Sequence, residues 1–160
     1  ITVCILDRPR HAKLIEEVRA TGAAIRLIGD GDVAGVIHTT DPDETGIDLY
    51  IGIGGAPEGV LAAAALRCIG GQMEGRLQLN TPEKIARAEK MGIIDPSKIY
   101  RMEEMAQGDV LFSATGVTDG NLLAGVKFAR DAISTHTIVM RSSSGTVREI
   151  KARHQDLTKF

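Results

Sequence analysis

The sequence predicts an α/β protein, a layered sheet with flanking helices, forming a single domain over residues 1–160. Three observations predict it. Strand-like and helix-like runs alternate three times between Ile1 and Leu66, the order that builds a largely parallel sheet. Apolar residues are mainly Ile, Val, Leu and Ala, and aromatic side chains make up only 3% of the chain, which suits such a core. The tail carries two strand-like runs joined by Ser142-Ser143-Ser144-Gly145, a hairpin expected to add strands to one sheet edge.

The elements follow in order. Ile1–Leu6 is rich in β-formers and reads as the first strand. Leu14, Ile15 and Val18 mark one helix face, and Gly22 ends that helix. Ala24–Ile28 is the second strand, Gly29-Asp30-Gly31-Asp32 its turn, and Val33–Ile37 a short helix. Thr39–Gly46 is polar and reads as a surface loop. Ile47–Ile53 is the third strand, and Val60–Leu66 lies in its helix. Met73–Leu79 is an extended segment. Thr81-Pro82 starts a helix, with Thr as N-cap and Pro in the first turn, which runs to about Met91 and stops at Gly92. A short helix is expected to start near Ser97 and pass through Met102 and Met105. Asp109–Ala114 is a fourth strand, and Thr135–Arg141 with Thr146–Ile150 form the hairpin. The polar residues after Ile150 are expected to fray.

Composition narrows the function. A formal net charge of −2 leaves no basic surplus for nucleic acid, and few aromatics are present for base stacking. No apolar run reaches the length of a membrane span, and no signal peptide is visible. Cys4 and Cys68 belong to no CxxC or Cys/His cluster, so they are expected as buried free thiols of a cytoplasmic protein. The chain opens directly in a strand without Met, which sets the expectation that it is the later part of a longer protein.

Chemistry centres on Gly52-Ile53-Gly54-Gly55-Ala56-Pro57-Glu58-Gly59, a glycine turn between strand and helix. Pro57 and Glu58 fall in the first helical turn, beside unpaired backbone N–H groups that suit a phosphate or a metal-bridged phosphate. A first-turn Glu also complements a helix dipole with no further role. The dinucleotide pattern fails at Pro57, and a P-loop fails at Val60, where Lys is required.

Ligands of open α/β sheets bind outside the carboxyl ends of the strands. Four strand-ending loops are candidates: Asp7–Arg10, Gly29–Asp32, Gly54–Glu58 and Thr115–Gly120. Parallel strands would bring all four to one rim. Arg8 and Arg10, flanking Pro9, offer planar forks for a phosphate, or are simply solvated. Asp30 and Asp32, around Gly31, can accept from sugar hydroxyls, or form an ordinary turn. Glu58 can hold a hard divalent cation. His11 is a lone His at a helix start, a place where capping or packing outweighs catalysis, and Thr118-Asp119-Gly120 reads as a turn with an N-cap.

Four blocks together closely resemble the GlpX-type, class II fructose-1,6-bisphosphatases. They are Leu6–His11, Asp30–Val33, Gly52–Val60 and Ala114–Gly120, in that family's order and approximate spacing. Met140–Arg148 resembles the family's closing hairpin. The resemblance covers nearly the whole chain, as the C-terminal half of the enzyme. It implies the fold of metal-dependent, lithium-sensitive sugar phosphatases, and hydrolysis of the 1-phosphate of fructose 1,6-bisphosphate with Mn²⁺ or Mg²⁺, a step of gluconeogenesis. By the same resemblance Glu58 is the catalytic, metal-binding carboxylate. Arg8, Pro9, Arg10, Asp30, Gly31, Asp32 and Gly55 are then substrate-contacting. The expected partners are a small sugar bisphosphate and further copies of the chain, with neither nucleic acid nor membrane. Two alternatives stand beside this reading: a dual fructose/sedoheptulose bisphosphatase, and a non-catalytic phosphosugar-binding module. The family's other metal-binding acids lie in an N-terminal half, so the isolated chain is expected to be inactive.

Overall fold

The computed structural model describes residues 1–156 and contains three sheets. The first is parallel, in the order β2-β1-β3, built from β1 (Thr2–Leu6), β2 (Ala24–Ile28) and β3 (Leu49–Tyr50). β1 is its centre, and it is apolar and buried from Val3 to Leu6 because both of its faces are covered there. Val3 and Ile5 pack on Ile15 and Val18 of α1 (Ala12–Ala20). Cys4 and Leu6 point the other way, onto Ile28 and Ile47. The period-two alternation of a strand thus fills two separate cores.

The second sheet is the short antiparallel pair β4 (Glu74–Arg76) and β5 (Ile99–Arg101). The third is antiparallel and centred on β8 (Ile133–Arg141). Along one side β8 pairs with β9 (Thr146–His154) over its whole length. Its other side carries β6 (Leu111–Thr115) and then β7 (Lys127–Phe128).

Helix α4 (Ala56–Ile69) joins the layers. Ala62, Ala63 and Leu66 pack with Val36 of α2 (Asp32–His38) and with Met102 and Ala106 at α6 (Met102–Met105). Ala65 and Cys68 pack with Phe112, Ile138 and Met140 of the third sheet. Small side chains on α4 allow both neighbours close approach. Two further helices lie outside these cores, α3 (Pro42–Thr45) and α5 (Pro82–Lys90). Among the described residues no helix is long and apolar enough to cross a membrane.

The α/β class, the first two strands, the helix starts at Pro57 and Thr81 and the closing hairpin agree with the sequence reading. Thr81 caps as expected, its hydroxyl accepting from the Lys84 N–H at 3.4 Å. Several details differ. The third strand is cut to two residues, with Gly52, which weakens a strand interior, close behind it, although the Asp48 N–H still reaches the Thr2 carbonyl and the Ile51 N–H the Cys4 carbonyl, both at 3.1 Å. Residues 39–46 are not all loop, since Asp41 accepts from the Glu44 N–H and Pro42 opens the one-turn helix α3. The short helix begins at Met102 rather than Ser97, because Asp95 closes a turn on the Ser97 N–H and hydroxyl and β5 comes between. β6 does not join the parallel sheet. The two-residue β3 offers little edge, whereas the nine-residue β8 offers a long one. For the same reason the tail hairpin builds its own sheet instead of extending the parallel one. Residues 151–154 continue β9 rather than fray, and the last part of that expectation, 157–160, lies outside the described residues.

Candidate functional site

The parallel topology places the ends of β1, β2 and β3 on one side, so three of the four candidate loops share a rim. The fourth, Thr115–Gly120, leaves β6 in a different sheet. There Asp119 accepts from the Gly125 N–H at 2.9 Å and pairs with Lys127, closing a loop on itself with no helix to cap. The chain bends at Val117 and Thr118 without a hydrogen-bonded turn, and the expected N-cap is absent.

Two of the three rim loops are tied together through Ile53. Arg10 donates from Nε to the Ile53 carbonyl at 2.7 Å. The Ile53 N–H in turn donates to Nε2 of His11 at 2.8 Å. Nδ1 of His11 bonds the Leu6 carbonyl at 2.8 Å, so its partners set the tautomer, with the proton on Nδ1. His11 is fully buried. It is a strut between the end of β1 and the glycine loop, in keeping with the packing role expected of it. Pro9 opens the short 3₁₀ turn Pro9–His11 that aims both side chains. Arg8 stays exposed and reaches only the Asp7 carbonyl, at 3.3 Å.

The second and third loops meet at Asp32 and Gly54. Gly31 adopts a left-handed φ of 78° and starts α2, which puts Asp32 in the first turn. Asp32 Oδ2 lies 3.1 Å from the point a Cβ on Gly54 would occupy. Asp30 remains exposed on the turn before it. At the third loop, α4 starts from Gly55 in an extended conformation, with no side chain capping it. The carboxylate of Glu58 folds back over Gly55, into the space a Cβ there would fill. Glycine at 55 is therefore what lets the Glu58 carboxylate lie at the start of its own helix.

The rim thus gathers an anchored guanidinium (Arg10), a half-buried carboxylate (Asp32), an exposed one (Glu58) and the uncapped end of α4. Arg8, Pro9, Asp30 and Gly31 lie on the same loops without a contact into the centre. Such a set can take an anion at Arg10 and the α4 amides, and hydroxyl groups at Asp30 and Asp32. No cluster of three or more His, Cys, Asp or Glu among the described residues is arranged to hold a metal. Glu58 also lies at a helix end that disfavours cations. The described residues therefore do not form a metal centre by themselves. Both cysteines are free and buried, and burial pushes each thiol above its ordinary value.

The comparisons with known proteins agree on one family. A family model described as bacterial fructose-1,6-bisphosphatase, glpX-encoded, matches residues 1–154. A protein of Synechococcus sp. (strain JA-3-3Ab), named D-fructose 1,6-bisphosphatase class 2/sedoheptulose 1,7-bisphosphatase, is 42% identical over 96% of this chain and 48% of its own length. The protein of the same name from Microcystis aeruginosa is 41% identical, with the same coverage. That from Crocosphaera subtropica is 42% identical over 100% of this chain and 50% of its own length. The chain spans about half the length of the curated relatives it matches.

Proposed function

The chain belongs to the glpX-encoded bacterial fructose-1,6-bisphosphatase family, and on that premise we propose that it supplies the C-terminal half of a metal-dependent phosphatase. The reaction is hydrolysis of the 1-phosphate of fructose 1,6-bisphosphate to fructose 6-phosphate. The observation that carries the reading is the Ile53 tie, which holds the arginine loop and the glycine loop in one arrangement on the rim.

Each residue then has a chemical task. Arg8 and Arg10 bind the phosphate that is not cleaved, and that binding positions the substrate without entering the chemistry. Asp30 and Asp32 accept hydrogen bonds from sugar hydroxyls. Gly55 leaves room for substrate and for the Glu58 carboxylate together. Glu58 is one carboxylate of a metal centre for Mn²⁺ or Mg²⁺, and acids outside this chain complete it. Bound there, such a cation would supply water activation and neutralisation of phosphate charge. The substrate's own phosphate offsets the unfavourable helix end. The free buried thiols support a reducing, cytoplasmic setting. Exposed apolar side chains, among them Leu61, Leu111 and Phe128, support association with further protein, including other copies of the chain.

The relatives' names favour a second substrate, sedoheptulose 1,7-bisphosphate. The absence of a ligand cluster among the described residues favours a binding module without catalysis for the isolated chain. One experiment separates these readings: phosphate release from both sugar bisphosphates, with Mn²⁺ or Mg²⁺, by the full-length protein and by these 160 residues. Release by the full-length protein alone is expected. Robust release by the isolated chain would overturn the shared-site reading.

A further inference from the structure

We propose that the Tyr50 hydroxyl is a substrate-binding group of this site, donating a hydrogen bond to an oxygen of the bound phosphosugar. The proposal rests on the reading of the rim as a phosphosugar cradle.

Tyr50 is the last residue of β3, opposite Cys4 of β1. Its ring fills a slot made by two glycines. A Cβ on Gly35 of α2 would stand 2.9 Å from the ring carbon Cδ2. A Cβ on Gly52 would stand 3.0 Å from the hydroxyl oxygen. The first is closer than a real Cβ comes and the second closer than nearly all do, so the absence of both side chains is what lets the ring lie against these two glycines. Residues two apart in an extended run share a face. A hydroxyl at Gly52 therefore means that the ring leans along the chain, toward the carboxyl rim.

Packing explains the ring and leaves the hydroxyl unexplained. Among the described residues nothing hydrogen-bonds it. It is not sealed either, since among the described residues His136 Nε2 is the one side-chain polar atom that is both fully buried and without a hydrogen bond. An O–H at this place is a fixed donor open to a ligand. Its charged surroundings include two residues of the cradle. Burial first, then the charges of Asp32 and Cys4, push its ionisation well above the ordinary value, while Arg10 opposes them. The group thus stays a neutral donor at working pH. Phosphosugar oxygens accept hydrogen bonds, and the hydroxyl adds a neutral donor to the guanidinium groups of Arg8 and Arg10 on the same rim. A rigid ring also adds little conformational entropy to the cost of binding.

The test is Tyr50→Phe in the full-length protein, which keeps the ring in its slot and removes one oxygen. An unchanged unfolding midpoint is expected. KM for fructose 1,6-bisphosphate should rise about five- to thirtyfold, with kcat within about threefold of wild type. Calorimetry should show fructose 6-phosphate binding weakened by a similar factor. KM and product affinity both within twofold of wild type would overturn the proposal. A wild type that binds fructose 6-phosphate but cleaves neither sugar bisphosphate counts against the phosphatase reading only, and calorimetry then decides Tyr50. A wild type that does not bind the sugar phosphate overturns both.

Discussion

His11 Nε2 accepts the Ile53 N–H at 2.8 Å, across 42 residues of sequence. The same ring bonds the Leu6 carbonyl through Nδ1. One neutral imidazole therefore satisfies a partly buried donor and a buried acceptor. His11→Ala leaves both unpaired and should lower the unfolding free energy by roughly 2–4 kcal/mol, measured by urea denaturation. A loss below about 0.5 kcal/mol would show that water replaces the strut.

Gly55→Ala separates stability from activity. The backbone at 55 has a φ of −70°, which alanine adopts freely. The added methyl displaces only the far end of a flexible side chain, the Glu58 carboxylate. Stability should stay within about 0.5 kcal/mol of wild type, while kcat of the full-length enzyme falls at least about tenfold. Parallel melting curves and phosphate-release assays would check both halves.

Glu58→Gln keeps size and hydrogen bonding and removes the charge. If the carboxylate only complements the dipole of α4, stability falls by about 0.3–1 kcal/mol and turnover survives. A metal-binding role predicts a folded enzyme that has lost roughly a hundredfold or more in kcat. Near-normal turnover at ordinary Mn²⁺ concentration would remove Glu58 from the site.

Arg10 makes the Ile53 tie and is the proposed phosphate contact. Arg10→Ala in the full-length enzyme should raise KM more than it lowers kcat, with a loss of about 1.5–3 kcal/mol. Arg10→Lys restores the charge without the planar fork, so it should recover only part of that affinity. An unchanged KM in the alanine variant would place the phosphate elsewhere.

Stability should show a defined pH window. Burial, then Arg26, holds His38 below its ordinary 6.5, against a hydrogen bond at the Asn121 backbone that works the other way. Folded His38 thus binds its proton later than unfolded His38, and stability is lost as pH falls below about 6.5. Burial holds the Cys4 and Cys68 thiols above their ordinary 9.0, so unfolded thiols ionise first and stability is lost above about pH 9. Denaturation midpoints across that range would test both signs, and Cys4→Ala,Cys68→Ala should flatten the alkaline limb.

Local chemistry was readable wherever neighbours in sequence decide it. Pro57 in a first turn, Thr81 as a cap and Ser142–Gly145 as a hairpin each carry their own signal. The sheet to which β6 belongs carries none. Its alternation of Phe112 and Ala114 with exposed neighbours says that one face is buried, not against what. Sequence alone therefore puts the loop Thr115–Gly120 on the rim of a sheet to which its strand does not belong. The His11–Ile53 bond was hidden for a similar reason, since a backbone N–H leaves no mark in a sequence. Gly55 was visible as a missing side chain, but only coordinates show that Glu58 takes up the space.

The buried residues of α4 begin at Ala62, and both cores that use the helix draw on Ala62 to Cys68. Glu58, Val60 and Leu61 precede that stretch and are exposed. Opening the first turn and a half therefore breaks few apolar contacts, whereas opening the rest dismantles two cores at once. Amide exchange along this one helix should fall into two regimes, fast before Ala62 and close to global unfolding after it. The carboxylate assigned to chemistry rides on the segment that yields first, with Ile53 as its nearest fixed point.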